Sequence, residues 1–502
     1  MVLIVLRLAD LLLLGSQLFL WMQAVLEVSY RNFILLLLFA SVLIELSRFS
    51  SRLTSLRISP NRAFLLSFVI LIAGGTLMLM LPAMTTQAGS MPLLDALFTA
   101  VSASCVTGLI VVDTATYFSF RGQLVILLLI QVGGLGILAF AAFFASYLSG
   151  GFGLRQKMMI PDYFDNETLA ASRSLLREIV FITFFIEGGT FFLLYFTWGI
   201  PFDSLGQKLF FSAFHAVSAF CNAGFSLFTN GLYEEVVRSN YILHLVIAIS
   251  LILGAIGFSP IRDIFSPRRL RDRLEHPWKD WMLSTRIAFN VSVVLLVIGT
   301  TLIFLLEQHN TLSEKNLTEA LISSFFQSAT TRTAGFNTVD IGQLAAPTLV
   351  VMMILMFIGG ASASTAGGIK TSTFYLILMS VIAVSQGRSR VLLGKRYIPT
   401  DTLFKALSIF FYAIAINALG VLLLSVTEKD ASMLALLFEQ VSAFGTVGLS
   451  TGITGSLSSA GKIVIIISMF LGRVGILTFA IALSTRIQNE NYKLPTANIM
   501  VG

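Results

Sequence analysis

The chain has 502 residues, 56% of them hydrophobic and only 12% charged, with a mean hydropathy of +0.87. Soluble proteins carry about 25% charged residues, so a single soluble core is excluded and several membrane-spanning helices are required. The net charge of +7 is not a nucleic-acid signal, because 22 of the 33 Lys and Arg fall in alternate loops, at 48–62, 155–177, 262–286, 388–405 and 486–493. This positive-inside pattern puts those loops and both termini in the cytoplasm of a multi-pass inner-membrane protein.

Two apolar helices, at about 3–26 and 32–47, come first. No A-x-A-like cleavage site follows the first, which reads as a retained helix. With their linker they form segment 1–62. Four similar units then follow, at 63–150, 151–262, 263–386 and 387–486, before a cytoplasmic tail at 487–502. Each unit opens with an apolar helix (63–84, 178–200, 285–306, 403–426) and closes with another (123–148, 241–261, 347–385, 463–485).

Between the two helices of each unit lies one short repeated stretch. The four copies are "FTAVSASCVTGLI" (98–110), "FHAVSAFCNAGFS" (214–226), "FFQSATTRTAGFN" (325–337) and "FEQVSAFGTVGLS" (438–450). Each begins with Phe, has small residues at its fifth and sixth places, and puts a glycine eleventh. Those glycines, Gly108, Gly224, Gly335 and Gly448, are 116, 111 and 113 residues apart. A helix of about 13 residues covers about 20 Å, too short for a hydrocarbon core of about 30 Å. Charge puts both ends of each stretch outside, so each dips in as a half-helix and returns. Irregular backbone at that depth must be buried in protein or line a watery cavity. The expected fold is all-α and membrane-embedded. It has ten crossings, two of them the extra N-terminal helices, and four repeats of outer helix, pore half-helix, filter loop and inner helix around one pore.

The third inner stretch, 347–385, is interrupted. Residues 359–368 are all small, and Lys370 follows. The flanks "PTLVVMMILMFI" and "TSTFYLILMSVIAV" would cover about 18 and 21 Å as helices, so neither spans alone. The chain must cross an odd number of times, so this is one broken helix with a flexible polar middle below Gly335. That middle reads as a gate: Gly359, Gly360, Ser362, Ser364, Thr365, Gly367, Gly368 and Lys370, hanging opposite Arg473.

A glycine in each return strand allows backbone conformations that a Cβ forbids. Four such strands can present rings of carbonyls that replace the hydration shell of potassium. "VTGL", "NAGFS", "TTRTAGFNTVD" and "SAFGTVGLSTGIT" resemble the filter loops of the Trk/Ktr/HKT superfamily of cation transporters, most of all the pore-forming subunit of bacterial Ktr and Trk potassium-uptake systems. The resemblance covers about residues 60–485. It implies a filter at Val106, Thr107 and Gly108; Asn222, Ala223 and Gly224; Thr333, Ala334 and Gly335; and Thr446, Val447 and Gly448. Potassium would be bound by backbone carbonyls only. Sodium-favouring relatives carry serine at the first glycine; this chain has Gly108. The N-terminal helix pair fits the Trk pattern rather than the Ktr one, which leaves the subtype open. The resemblance also implies a homodimer, a cytosolic nucleotide-binding regulatory ring that senses ATP/ADP or NAD, and the same gate segment. Potassium is then the substrate, by symport or channel-like flux, with sodium as a coupling or regulatory ion left open. The alternative is a sodium-translocating or sodium/potassium-cotransporting member.

Several charges sit within apolar stretches. Arg473 reads as a barrier to the passing cation, or as a structural arginine on helix-end carbonyls. Arg332 braces the third loop from behind or answers an acid such as Glu439. Glu187 reads as an interhelical hydrogen-bond partner. Cys105 and Cys221, the only cysteines, read as reduced small side chains behind the filter, with a redox switch as the alternative. The basic loop 262–286 either docks the ring or reflects topology alone. There is no P-loop, H-E-x-x-H or G-x-S-x-G motif, no zinc site and no catalytic pair at membrane depth. An enzyme or a resident cofactor is not expected.

Overall fold

The structure is a computed structural model that describes residues 60–87, 89–149, 172–276, 280–388, 390–393, 396–475 and 478–479. The expected N-terminal helix pair, the loop 150–171 and the tail 487–502 lie outside these residues. The chain divides into a unit Met1–Ala63 and a unit Phe64–Gly502. All the described helices and strands belong to the second unit, apart from the few residues that begin its first helix.

Fifteen α-helices run through the described residues. They are α1 (Pro60–Leu79), α2 (Leu93–Ser104) and α3 (Phe120–Ser149); then α4 (Ser172–Thr197), α5 (Leu205–Phe220), α6 (Tyr241–Ile256), α7 (Phe258–Phe265) and α8 (Pro267–Glu275). Next come α9 (Leu283–Glu307), α10 (Leu317–Thr330), α11 (Ala346–Phe357) and α12 (Thr371–Ser385). The last are α13 (Thr400–Thr427), α14 (Met433–Gly445) and α15 (Ser459–Val474). The named strands among the described residues are β1 (Leu392–Leu393) and β2 (Arg396–Tyr397), an antiparallel pair in the basic loop after α12.

The short helices α2, α5, α10 and α14 begin where the sequence supplies a cap. Ser204 accepts from the Gln207 N–H at 3.1 Å and Ser432 from the Ala435 N–H at 3.2 Å. Asn316 and Glu319 form a reciprocal capping box, so orphan N–H groups at three helix starts are satisfied. Helix α2 follows Pro92 instead, whose ring presets φ.

Three described helices are long and apolar enough to span a bilayer unaided: Arg177–Thr197 within α4, α9 and α13. Their outward faces carry Phe181, Phe185, Phe196, Val294 and Phe411, all exposed. Lipid is as apolar as these side chains, so helix association rests on close packing and interhelical hydrogen bonds. Gln131 on α3 donates to Glu187 on α4 at 3.2 Å, and Thr190 on α4 meets Ser250 on α6 at 3.2 Å. Glu187 is thus the interhelical partner its position suggested. Gln440 on α14 donates to Ser468 on α15 at 2.9 Å. Glu307, fully buried at the end of α9, accepts from the Ala345 N–H at 2.9 Å and fixes the start of α11.

Two inner helices differ from the expectation of unbroken rods. The second, expected over 241–261, breaks at Gly257, where α6 and α7 meet at 102°. Gly257 has φ +88, and a Cβ there would lie 2.8 Å from the Ala363 carbonyl oxygen. The fourth, expected over 463–485, is interrupted at Gly475, with φ +85. Only glycine adopts these angles without strain. The third breaks where expected: α11 ends at Phe357, α12 starts at Thr371, and residues 358–370 are not helical.

Candidate functional site

All four glycine turns share one backbone device. The residue two before each glycine is left-handed: Val106 (φ 57), Asn222 (φ 60), Thr333 (φ 74) and Thr446 (φ 49). The glycines are left-handed too: Gly108 (φ 92), Gly224 (φ 70), Gly335 (φ 80) and Gly448 (φ 91). Thr107, Ala223, Ala334 and Val447 between them are not. Alternation of hand along a strand turns successive carbonyls to the same side.

The half-helix ends impose the first left-handed residue. The Val106 N–H bonds the Ala103 carbonyl and the Thr107 N–H reaches back to Ser102, at 3.1 and 2.8 Å. The same pair recurs as Asn222 to Ala219 and Ala223 to Ser218, and as Thr446 to Ala443 and Val447 to Ser442. This is the Schellman arrangement, usually built on glycine. Here Val, Asn and Thr occupy it, at about 1–2 kcal/mol each. In the third repeat the bonds shift, and Ala334 and Gly335 both reach Thr330.

The four glycines close a ring. A Cβ on Gly108 would collide with the Ala223 carbonyl, one on Gly224 with Ala334, one on Gly335 with Val447, and one on Gly448 with Thr107. The order is cyclic, each repeat pressing on the next and the fourth on the first. Nothing larger than hydrogen fits at these positions. The ring brings together the four glycines with Thr107, Ala223, Ala334 and Val447, and the left-handed Val106, Asn222, Thr333 and Thr446 directly precede these in the chain.

Hydroxyls brace the ring from behind. Ser102 and Ser442 accept from the N–H of Gly108 and Gly448, both at 3.1 Å. Ser218 donates to the Phe225 carbonyl at 2.8 Å, and Thr330 to the equivalent Phe336 carbonyl at 2.7 Å. Sequence reading marked these places only as small. Hydroxyl-bearing residues in all four copies, shifted one place in the third, were the signal available. Two longer braces link half-helices to return strands: His215 Nε2 meets Ser226 Oγ at 3.1 Å, and Glu439 accepts from Ser450 at 2.8 Å and from Thr454. The hydroxyls of Thr107, Thr333 and Thr446 are buried without a protein partner among the described residues.

Residues 358–370 lie directly under the fourth strand and are mostly buried. The expected loose polar run is in fact held at many points. A Cβ on Gly367 would strike the Thr446 side chain, and one on Gly359 the Gly367 carbonyl. A Cβ on Gly360 would lie 2.7 Å from the Ala255 carbonyl oxygen. The Ala361 N–H donates to that same Ala255 oxygen at 2.9 Å, and the Phe258 N–H to Ala363 at 3.0 Å. Ser362 meets Ser372 at 2.9 Å, Ser364 donates to Ala361 at 2.6 Å, and Lys370 Nζ to Ala366 at 2.5 Å. Gly368 is left-handed, with φ +64.

Two buried arginines hold this segment by its carbonyls. Arg473, expected opposite it, donates to the Thr365 carbonyl and, at 2.7 Å, to the Gly133 carbonyl of α3. Arg332 donates to the Gly359 carbonyl at 3.2 Å. Glu439 is occupied by Ser450 and Thr454, so Arg332 does not answer it. Neither arginine has a carboxylate partner among the described residues, and the carbonyl bonds offset part of the cost of burying each charge. Asn222, with its amide nitrogen turned toward acceptors, donates to the Leu251 and Ala219 carbonyls at 3.1 Å. Cys105 and Cys221 are buried free thiols, and Cys221 lies 3.8 Å from Glu187.

The chain resembles known proteins over most of its length. The model of the TrkH family, described as a cation transport protein, matches residues 30–494. Ktr system potassium uptake protein B of Bacillus subtilis is 38% identical, over 89% of this chain and 97% of that one. Potassium/sodium uptake protein NtpJ of Enterococcus hirae is 36% identical, over 89% and 98%. The crystal structure of the potassium transporter TrkH from Vibrio parahaemolyticus shares the fold, with a TM-score of 0.67 at 19% identity over 86% of each chain. With this match across its length, a mostly helical fold among the described residues and four interlocked glycine turns, the chain belongs to the TrkH family of cation transport proteins, a family of membrane transporters and not of enzymes.

Proposed function

We propose that this protein takes up potassium across the cytoplasmic membrane through a single carbonyl-lined filter. The filter is formed by 106–108, 222–224, 333–335 and 446–448, and residues 359–370 with Arg473 gate it. The observation that carries the reading is the closed ring of four glycines, each preceded at two residues by a left-handed residue. Carbonyls turned to one side in four strands replace the ion's water at little reorganisation cost. The half-helix C-termini point their negative dipole ends at the ring and favour a cation there. Buried hydroxyls on Thr107, Thr333 and Thr446 with no protein partner add to that support, since such groups are costly unless water or an ion meets them.

The gate reading rests on position. Gly367 abuts Thr446 of the filter, so an ion leaving the ring meets residues 358–370 next. Both arginines grip that segment. In this reading the four units at 63–150, 151–262, 263–386 and 387–486 are pore repeats, and both termini face the cytoplasm. The same reading has the protein work as a homodimer with a nucleotide-binding ring, as the resemblance of its filter loops implies; the Ktr-system names of its relatives support only partnership with further components. The name of the Enterococcus relative keeps sodium open as a coupled or transported ion.

Rubidium and sodium uptake into proteoliposomes tests the reading. Rubidium entry that exceeds sodium entry, and is lost in Gly108→Ser, is the expected result. Equal entry of both ions, unaffected by Gly108→Ser, would overturn the filter assignment.

A further inference from the structure

Helices α7 and α8 sit where the second repeat joins the third, and among the described residues Phe265, Leu270 and Leu274 on them are left exposed. We infer that this hairpin lies on the cytoplasmic leaflet, with Phe265, Leu270 and Leu274 among the acyl chains and the exposed Arg271 beside them at acidic phospholipid headgroups. This goes beyond the proposed transport and does not rest on which cation passes.

The geometry sets the level. Helix α6 covers about 24 Å from its outer end to the bend at Gly257. There the chain turns by 102°, so α7 runs close to the plane of the membrane. Helix α9, about 37 Å long, returns across the bilayer. Its preceding residue, Met282, donates its N–H to Asp263 at 2.9 Å. Asp263 is therefore level with the inner end of a full span, at the headgroups.

Asp263 also fixes how α8 lies. Its buried carboxylate accepts from Arg269 at 2.8 Å and from Arg273 at 2.7 Å. Those two arginines point inward. Leu270 and Leu274, one turn apart on the flank about 100° round the helix from them, are 50% and 76% exposed, and Phe265 before them is 64% exposed. Arg271 and Glu275 border that flank, paired at 3.0 Å. Exposed apolar residues beside charged ones at headgroup level are the pattern of an interfacial helix. The loop 262–286 carries seven Lys or Arg against four Asp or Glu, a net +3, which suits acidic headgroups. The Phe258 N–H donates to Ala363, so a hairpin seated on the leaflet is one hydrogen bond from the segment under the filter.

The test uses full-length protein with an environment-sensitive dye at Leu274→Cys, Leu270→Cys or Glu275→Cys; the native cysteines are buried. Vesicles contain phosphatidylglycerol in phosphatidylcholine, with plain or brominated acyl chains. An apolar face reaches about 5–10 Å into the headgroup boundary. Bromine should therefore cut emission about twofold at 270 and 274, with little effect at 275, and less in pure phosphatidylcholine. Equal emission in plain and brominated lipid at 270 and 274 overturns the inference. So does equal quenching at all three positions. Protection at 274 that needs added soluble cytosolic protein also overturns it, and makes the face a protein-docking surface.

Discussion

Arg473→Ala should raise cation flux strongly while leaving the fold intact. The guanidinium is buried and donates to two carbonyls, Thr365 in the segment under the filter and Gly133 on α3. It thereby ties that segment to the first repeat. A hydrogen bond to a charged donor contributes about 1.5–3 kcal/mol, so the pair holds the segment by at most about 3–6 kcal/mol. Only the part lost on opening shifts the equilibrium. If one of the two bonds breaks, the shift is about 1.5–3 kcal/mol, or roughly ten- to a hundredfold in the open population. Removing the positive charge acts in the same direction. A cation within about 4 Å would be repelled by about 4 kcal/mol at an effective dielectric of 20. Rubidium uptake into proteoliposomes at matched protein density measures the sum. Arg473→Lys separates the two effects, because it keeps the charge but lacks the planar fork that reaches two carbonyls. Flux near wild type in the Lys variant assigns the effect to charge, and flux near the Ala variant assigns it to the tie. Uptake by Arg473→Ala that stays within twofold of wild type, in a folded protein, would refute both arguments.

The same contacts set other outcomes. Gly224→Ala should abolish selective uptake, because a Cβ there lies 2.9 Å from both the Ala334 oxygen and the Gly335 Cα at φ +70; rubidium-over-sodium uptake by the assembled variant is the measurement. Deleting 361–366 should raise flux, since it removes the Arg473 anchor at Thr365 and the bonds to Ala255 and Phe258; unchanged or lost flux in a folded protein counts against the gate. Glu439→Ala leaves the Ser450 and Thr454 hydroxyls without their acceptor. It should lower stability by about 2–4 kcal/mol, read as a lower melting temperature in detergent, whereas Glu439→Gln keeps an acceptor and should lose less. Mass spectrometry without reductant should find Cys105 and Cys221 fully as free thiols, because both are buried.

Much of the architecture is visible in the chain itself. Composition demands a membrane. The spacing of Gly108, Gly224, Gly335 and Gly448 fixes four equivalent turns. The small-residue run 359–368 marks the break between α11 and α12. These features are local, and each follows from residue type and spacing. The caps at Ser204, Asn316 and Ser432 are equally local, but a single capping residue is a weaker signal than the apolar run behind it.

Backbone angles and partners were not visible. Nothing in Val106, Asn222, Thr333 or Thr446 favours a left-handed conformation over all four, and three of them are β-branched, which resists it. The helix-end bonds and the closure of the ring impose it; the bonds are local, but the ring closes only when the repeats meet. The bends at Gly257 and Gly475 depend likewise on what packs beside them, since a glycine in an apolar run permits a bend without requiring one. Arg332 and Arg473 were recognisable as buried charges, but their partners are 27, 108 and 340 residues away. The sequence by itself determined that four glycine turns exist and that one inner helix is broken, because local chemistry sets those. Only the tertiary structure decided that the turns lock into one cyclic ring and that both arginines hold the segment beneath it, because a buried charge takes whichever carbonyls the fold brings within reach.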